Sequence, residues 1–261
     1  MDKKFIFFDI DGTLLDDNKE VLDSTRETLK SLSAAGHDLA IATGRNALMA
    51  AEVIKDLAFN HYIVCNGAEA FYNHETAYKN PLDQGALHRL IERADAESHP
   101  LVYETAHEIF RRSKEVNPRV ANGMKYVGHE IPAYDDTERF HVDHELIQLL
   151  LFIDDEDSEL YRQAEFPEFR FVRWYEEAVD VLPATGSKYE TIKILAEQKG
   201  YDHEDIITVG DGNNDFEMIK KSGYGIAMAN GEPHVREVAD LVTNTNNDNG
   251  IYKAFKRLDL I

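Results

Sequence analysis

Four short stretches of the sequence carry side chains that could do chemistry together. Asp9-Ile10-Asp11-Gly12-Thr13 sets two carboxylates two positions apart, directly after the apolar run Phe5–Phe8. Aspartates so placed can serve one site, one as ligand or nucleophile and the other as proton carrier. Thr43-Gly44-Arg45 offers a hydroxyl, a small residue and backbone N–H groups ahead of a helix. That makes an anion site, although a plain helix cap would read the same way. Gly210-Asp211-Gly212-Asn213-Asn214-Asp215 joins glycines that let backbone approach a ligand to the hard carboxylate oxygens that Mg2+ takes. It is not an EF-hand, because the twelfth position counted from Asp211 is Ser222 and not a glutamate. Lys188, after Ala184-Thr185-Gly186-Ser187, would alone pass for a surface lysine. Together the four supply a nucleophile, metal ligands, N–H donors and a cation, which is what a phosphoryl group requires. Phosphate monoesters hydrolyse so slowly unaided that enzymes accelerate the reaction by up to about 10²¹-fold. An aspartyl phosphate would split that one step into two.

The elements that must position these residues follow from periodicity. Up to residue 80, strands at Phe5–Phe8, Leu39–Ala42 and Tyr62–Cys65 alternate with helices at Ser24–Ala35 and Ala47–Leu57. That rhythm predicts βαβ units and a parallel sheet, a Rossmann-like α/β core. It returns near the C-terminus with helices at Tyr189–Gln198, Asp215–Lys221, Pro233–Ala239 and Gly250–Leu258, and strands at Asp205–Val209, Tyr224–Ala227 and Leu241–Val242. Three of the four motifs then fall at carboxyl ends of parallel strands, where open α/β sheets bind ligands. The middle reads as α+β: a helix at Leu82–Glu97, short strands at Leu101–Glu104 and Glu108–Arg112, and an irregular stretch holding Pro118, Gly123, Gly128 and Pro132. After these come a strand at Ile147–Ile153, a helix at Ser158–Ala164 and a strand pair at Phe169–Trp174 and Ala178–Leu182. The expectation is a core made of 1–81 and 183–261 with an α+β cap domain, 82–182, inserted into it.

Composition limits the partners. Lys plus Arg number 28 against 49 Asp plus Glu, a net charge of −21, which argues against a nucleic-acid or anionic-membrane binder. An anionic substrate gains nothing from such a field and needs a local cation. The single cysteine, Cys65, cannot form an intramolecular disulfide, and no apolar stretch approaches the roughly 18 residues of a membrane span. The run Phe5–Phe8 is cut off by Asp9, so no signal peptide is read, and a cytoplasmic location is expected.

The chain resembles the haloacid dehalogenase superfamily, and within it the Cof-type phosphatases with a type IIB cap. The resemblance rests on Asp9-Ile10-Asp11-Gly12-Thr13, Thr43-Gly44-Arg45, Lys188 and Gly210–Asp215. Asn66-Gly67-Ala68, Met228–Gly231 and Asn249-Gly250-Ile251 are also typical of that group. It implies that Asp9 is the phosphorylated nucleophile, and that Asp11 protonates the leaving group and then activates water. It also implies that Mg2+ is held by Asp9, the Asp11 main-chain carbonyl and Asp211, with Asp215 nearby. Phosphate would meet the Ile10 backbone, Thr43, Gly44, Lys188 and Asn214, with Arg45 assisting. Gly44 follows Asp11 by only 33 positions, too few for a domain, so the cap belongs between Thr43 and Lys188. Tyr189 departs from the pattern, where glycine often follows the lysine.

Other features read blandly. His141-Val142-Asp143-His144 lacks a third ligand and reads as solvated surface, Cys65 as a small core residue, and Trp174 and Tyr175 as core or surface of the inserted domain. Arg111, Arg112, Arg170 and Arg173 are basic residues in an acidic chain, none singled out. The expected activity is Mg2+-dependent hydrolysis of a small phosphorylated metabolite, a sugar phosphate or related ester. Two alternatives share the core motifs: a phosphomutase, and a non-catalytic module that binds a phosphorylated metabolite. A dehalogenase is disfavoured by Asp11, the acid–base group that such enzymes lack in this family. An ion pump is excluded by the missing spans. The oligomeric state is left open.

Overall fold

The computed structural model describes residues 3–261, which divide into two compact units: one formed by the chain up to 45 with 50–78 and 187–261, the other by 46–49 with 79–186. In chain order the first unit begins with β1 (Phe5–Phe8), α1 (Asp23–Ala34), β2 (Asp38–Ala42), α2 (Ala47–Asp56) and β3 (His61–Val64). Two further strands, β4 (Glu69–Tyr72) and β5 (Glu75–Lys79), follow a tight turn at Cys65–Gly67. The second unit contains α3 (Gln84–Glu97), β6 (Leu101–Glu104), β7 (Ile109–Arg111), α4 (Pro118–Tyr126), β8 (Ala133–Tyr134), α5 (Phe140–Asp143), β9 (Gln148–Leu151), β10 (Phe169–Tyr175) and β11 (Ala178–Pro183). The chain then returns through α6 (Lys188–Gln198), β12 (Ile206–Gly210), α7 (Phe216–Lys221), β13 (Tyr224–Ala227), α8 (Pro233–Val238), β14 (Leu241–Val242) and α9 (Gly250–Arg257).

In the first unit eight strands lie in the order β14-β13-β12-β1-β2-β3-β4-β5. The six from β14 to β3 pair in parallel, while β4 turns back antiparallel on β3. All four residues of β1 are buried, because both sheet faces are covered and no position can be polar. Phe5 and Phe7 join the cluster under α6, α7 and α8, including Ile192, Leu195, Met218, Ile219 and Val235. Phe8 packs instead against Phe255 of α9. Asp9 donates its N–H to the Val209 carbonyl at 2.9 Å, carrying the β1–β12 ladder to the last position before the functional turn.

The second unit is a six-stranded sheet in the order β10-β11-β9-β6-β7-β8, antiparallel except for β7 against β8. Leu87, Leu90, Ile91 and Ala94 of α3 cover one face, against Tyr103, Leu149, Leu151, Val179 and Val181. Val120 and Met124 of α4 cover the other, against Val102, Leu150 and Phe152. That helix lies where the sequence reads as irregular. Pro118 occupies its first turn under an Asn117 cap whose side chain accepts from the Arg119 N–H, a placement that favours a helix. Gly123 sits where a Cβ would come within 2.8 Å of Phe152, so it is a packing requirement and not a break. The expected helix over Ser158–Ala164 is instead a 3₁₀ segment at Glu156–Tyr161. No described helix is long and apolar enough to cross a membrane.

Candidate active site

All the singled-out site residues belong to the first unit, at or just beyond the carboxyl ends of β1, β2 and β12 and at the start of α6. After β1 the chain makes a tight turn over Ile10–Leu14 in which Gly12 takes φ +74°, a conformation open to glycine. A Cβ there would also lie 2.2 Å from Asp211 Oδ2, so the turn and the β12 loop touch at a point where no side chain fits. Thr13 Oγ1 donates to Asp211 Oδ1 at 2.7 Å and ties the two loops. Ile10 is buried within the turn and its carbonyl accepts from the Leu15 N–H.

Lys188 bridges the acids. Its Nζ donates to Asp9 Oδ1 at 2.6 Å and to Asp215 Oδ1 at 2.7 Å, and all three side chains are buried. The other Asp215 oxygen accepts from the N–H groups of Asp211 and Gly212, both at 2.9 Å. The first turn of α6 is placed by the Cys65–Gly67 turn. Thr191 Oγ1 donates to the Gly67 carbonyl at 2.6 Å, and a Cβ on Gly67 would lie 2.2 Å from the Ser187 carbonyl oxygen.

Charge in this cluster does not balance. Asp9, Asp211 and Asp215 each offer an oxygen, all within 4.8 Å of one another, and Lys188 touches only two of them. Burial raises Asp9 well above the usual carboxylate range; Lys188 opposes that, and the charges of Asp215, Asp211 and Asp11 add to it. Asp211 is pushed up to about 7 by burial and by Asp215. Burial works against the charge on Lys188, but Asp215 and Asp9 outweigh it and hold the lysine above its ordinary value. Three converging hard-oxygen donors short of positive charge suit a divalent cation, and the donor set fits Mg2+.

Asp11 sits in the opposite situation. Arg45 grips it with two bonds, Nε to Oδ2 at 2.8 Å and Nη2 to Oδ1 at 2.7 Å, and Lys19 Nζ reaches Oδ1 at 2.9 Å. Burial would raise this carboxyl, but Arg45 and then Lys19 hold it below the usual range.

The third group of residues flanks these two. Thr43 Oγ1 accepts from the Arg45 N–H at 3.1 Å, shaping the turn after β2. The Asn66 N–H donates to the Thr43 carbonyl, and Asn214 Nδ2 donates to Asn66 Oδ1 at 2.9 Å. A Cβ on Gly44 would meet both asparagine side chains at 3.2–3.4 Å, which brings the β2, β3 and β12 loops together. The structure thus joins Asp9, Lys188, Asp211 and Asp215 in one cluster, Asp11 with Arg45, and Gly44 with Asn214, with Thr43 bound through Arg45. Two residues escaped the sequence reading as site members. Asn66 stood only in a typical family triplet, and Lys19 gave no signal, because its approach to Asp11 depends on a loop conformation.

The model of the haloacid dehalogenase-like hydrolases matches this chain over residues 6–255. The chain belongs to that family. YkrA of Bacillus subtilis, provisionally named a phosphatase, is 40% identical over the full length of both chains. Among solved structures, a phosphatase of the superfamily from Bacteroides thetaiotaomicron superposes with a TM-score of 0.90 at 29% identity, covering 99% of this chain and 96% of its own. A sugar phosphatase of subclass IIB superposes with a TM-score of 0.88 at 27% identity, covering 99% of this chain and all of its own. Membership makes the chain a phosphatase of the haloacid dehalogenase superfamily.

Proposed function

We propose that this enzyme hydrolyses the phosphate monoester of a small metabolite, a sugar phosphate, through an aspartyl phosphate on Asp9, with Mg2+ as cofactor. One observation carries the reading. Two aspartates two positions apart stand in opposed environments, Asp9 among acids and one buried lysine, Asp11 between two cations. Asp9, the Asp11 main-chain carbonyl and Asp211 would hold Mg2+, with Asp215 beside them. When bound, the ion neutralises charge on the phosphoryl oxygens.

The protein's own part is as follows. Lys188 orients the Asp9 carboxylate through Oδ1 and offers positive charge to the transferring group. The loops at Thr43-Gly44 and Asn214, with the Ile10 backbone, line the phosphate. Asp9 attacks phosphorus while Asp11 gives a proton to the departing oxygen. Water then attacks the aspartyl phosphate and Asp11 takes its proton. The sugar-phosphate class draws support from the subclass IIB sugar phosphatase neighbour.

The test is phosphate release from a panel of phosphorylated sugars, nucleotides and cofactors, with and without Mg2+. Metal-dependent release with one preferred sugar phosphate is the expected result. Isomerised sugar phosphate without free phosphate, or tight binding without turnover, would overturn it.

A further inference from the structure

The loop after the nucleophile turn holds a lysine that neither the motifs nor the family match singles out. Lys19 adopts φ +64°, a left-handed conformation that non-glycine side chains take up only when their surroundings impose it. The surroundings here do so. The Asp16 N–H donates to the Glu20 carbonyl at 2.9 Å and the Lys19 N–H to the Asp16 carbonyl at 3.0 Å. Asp16 Oδ1 accepts from the N–H groups of Asn18 and Glu20, closing the loop on itself. From outside, the Asn247 side chain accepts from the Asp17 N–H at 3.1 Å and donates through Nδ2 to Asp17 Oδ2 at 2.8 Å, and Asn246 Nδ2 donates to the Leu15 carbonyl at 3.0 Å. The Asn246 N–H is bound to Asn230, whose Nδ2 donates to the Gly12 carbonyl at 2.8 Å. One set of asparagines therefore grips both the turn that carries Asp11 and the loop that carries Lys19. The result is a lysine aimed at Asp11 Oδ1 from 2.9 Å, half-exposed and with no part in the core.

We propose that Lys19 is a positioning residue for Asp11: together with Arg45 it fixes the carboxylate in the orientation from which it takes a proton from the attacking water. This rests on the hydrolase reading above and concerns its second half-reaction. In that step the water oxygen bonds to phosphorus and the bond from phosphorus to the Asp9 oxygen breaks, its electron pair returning to Asp9. The water proton passes to Asp11, and orthophosphate leaves. The same proton is given to the departing oxygen of the next substrate. A carboxylate held in one orientation is what proton transfer requires, and the bonds from Arg45 and Lys19 to its two oxygens fix it. Exposed ion pairs add little to stability, so the lysine can be removed without unfolding the chain.

The experiment compares wild type, Lys19→Met, Lys19→Arg and Asp9→Asn with p-nitrophenyl phosphate and Mg2+. In Lys19→Met, kcat is expected to fall about tenfold, a modest part of what a general base contributes. The slow turnover should follow a rapid release of one equivalent of nitrophenol per enzyme. KM should fall in parallel, acid-quenched protein should carry stoichiometric phosphate, and the melting temperature should not move. Lys19→Arg should restore most of kcat, and Asp9→Asn should give neither burst nor trapped phosphate. A wild-type kcat in Lys19→Met, or a fall in kcat without accumulated phosphoenzyme, would overturn the proposal. A wild type that releases nothing from any substrate would bring down the hydrolase reading and this one with it, a result readily told from the other two.

Discussion

Asp9 and Asp11 have the same side chain, stand two positions apart on one turn, and live in opposite electrostatic worlds. Asp9 stands with the carboxylates of Asp211 and Asp215 and with Lys188; all but the half-buried Asp211 are buried, and burial drives the Asp9 carboxyl upward. Around Asp11 there is one carboxylate and two cations, and Arg45 and Lys19 drive it downward despite burial. The difference lies in which loops arrive. The β12 loop and the start of α6 reach the first aspartate, while the end of β2 and the Asp16–Glu20 loop reach the second. A pair of identical groups is thus divided into one suited to bonding with phosphorus or metal and one suited to carrying a proton.

Breaking the first half should cost most. On the proposed mechanism Asp9→Asn is expected to lower turnover by about a thousandfold or more, since it removes the attacking carboxylate, and phosphate release measures it directly. Asp11→Asn leaves the shape of the turn but removes the proton carrier. A loss of about 10²–10⁴-fold in kcat is expected, and a loss below tenfold would erase the distinction between the two aspartates.

Lys188→Met tests the charge imbalance through stability. Taking the one cation from a buried acidic cluster should cost about 3–5 kcal/mol in denaturant unfolding, and added Mg2+ should recover part of it. In the wild type, a chelator should stop turnover and Mg2+ restore it.

The smallest expected effect sharpens the comparison with a buried carboxyl in the second unit. Glu104 is pushed up to about 8 by burial and by Asp180, and accepts from Gln148 Nε2 at 2.8 Å. Between its ordinary value and about 8 the folded chain binds a proton that the unfolded chain has lost, so this group makes stability fall as pH rises through that window. Glu104→Gln keeps the shape and removes the titration. The variant should therefore gain on wild type between pH 5 and pH 8, by about 1–3 kcal/mol, in melts run at both values.

The parallel core was legible wherever burial on both sides imposed a run of apolar residues, as in β1 and β2, and wherever a helix of ordinary length separated two such runs. What escaped was structure made by context. Pro118 and Gly123 read as interruptions, yet one opens α4 and the other lets Phe152 approach it. β4 and β5 follow a turn in which Cys65 and Asn66 both take positive φ, and a sequence gives no warning of that at a cysteine. In the site, residue type and spacing pointed to the carboxylates, Lys188 and Thr43-Gly44-Arg45, because few pairs of aspartates follow a buried strand so closely. Lys19 and Asn66 are different in kind. Each matters through the direction in which an unusual backbone conformation aims it.

The asparagine clamp has a consequence for the life history of the chain. Asn230 and Asn246 hold the carbonyls of Gly12 and Leu15, more than two hundred residues earlier, and β1 lies between β2 and β12. A nascent chain emerging from the ribosome displays Asp9, Asp11 and Arg45 long before the residues that hold their turn in shape exist. The Asp9–Asp11 turn is therefore completed late in synthesis, and unfinished chains carry its residues without the contacts that hold it.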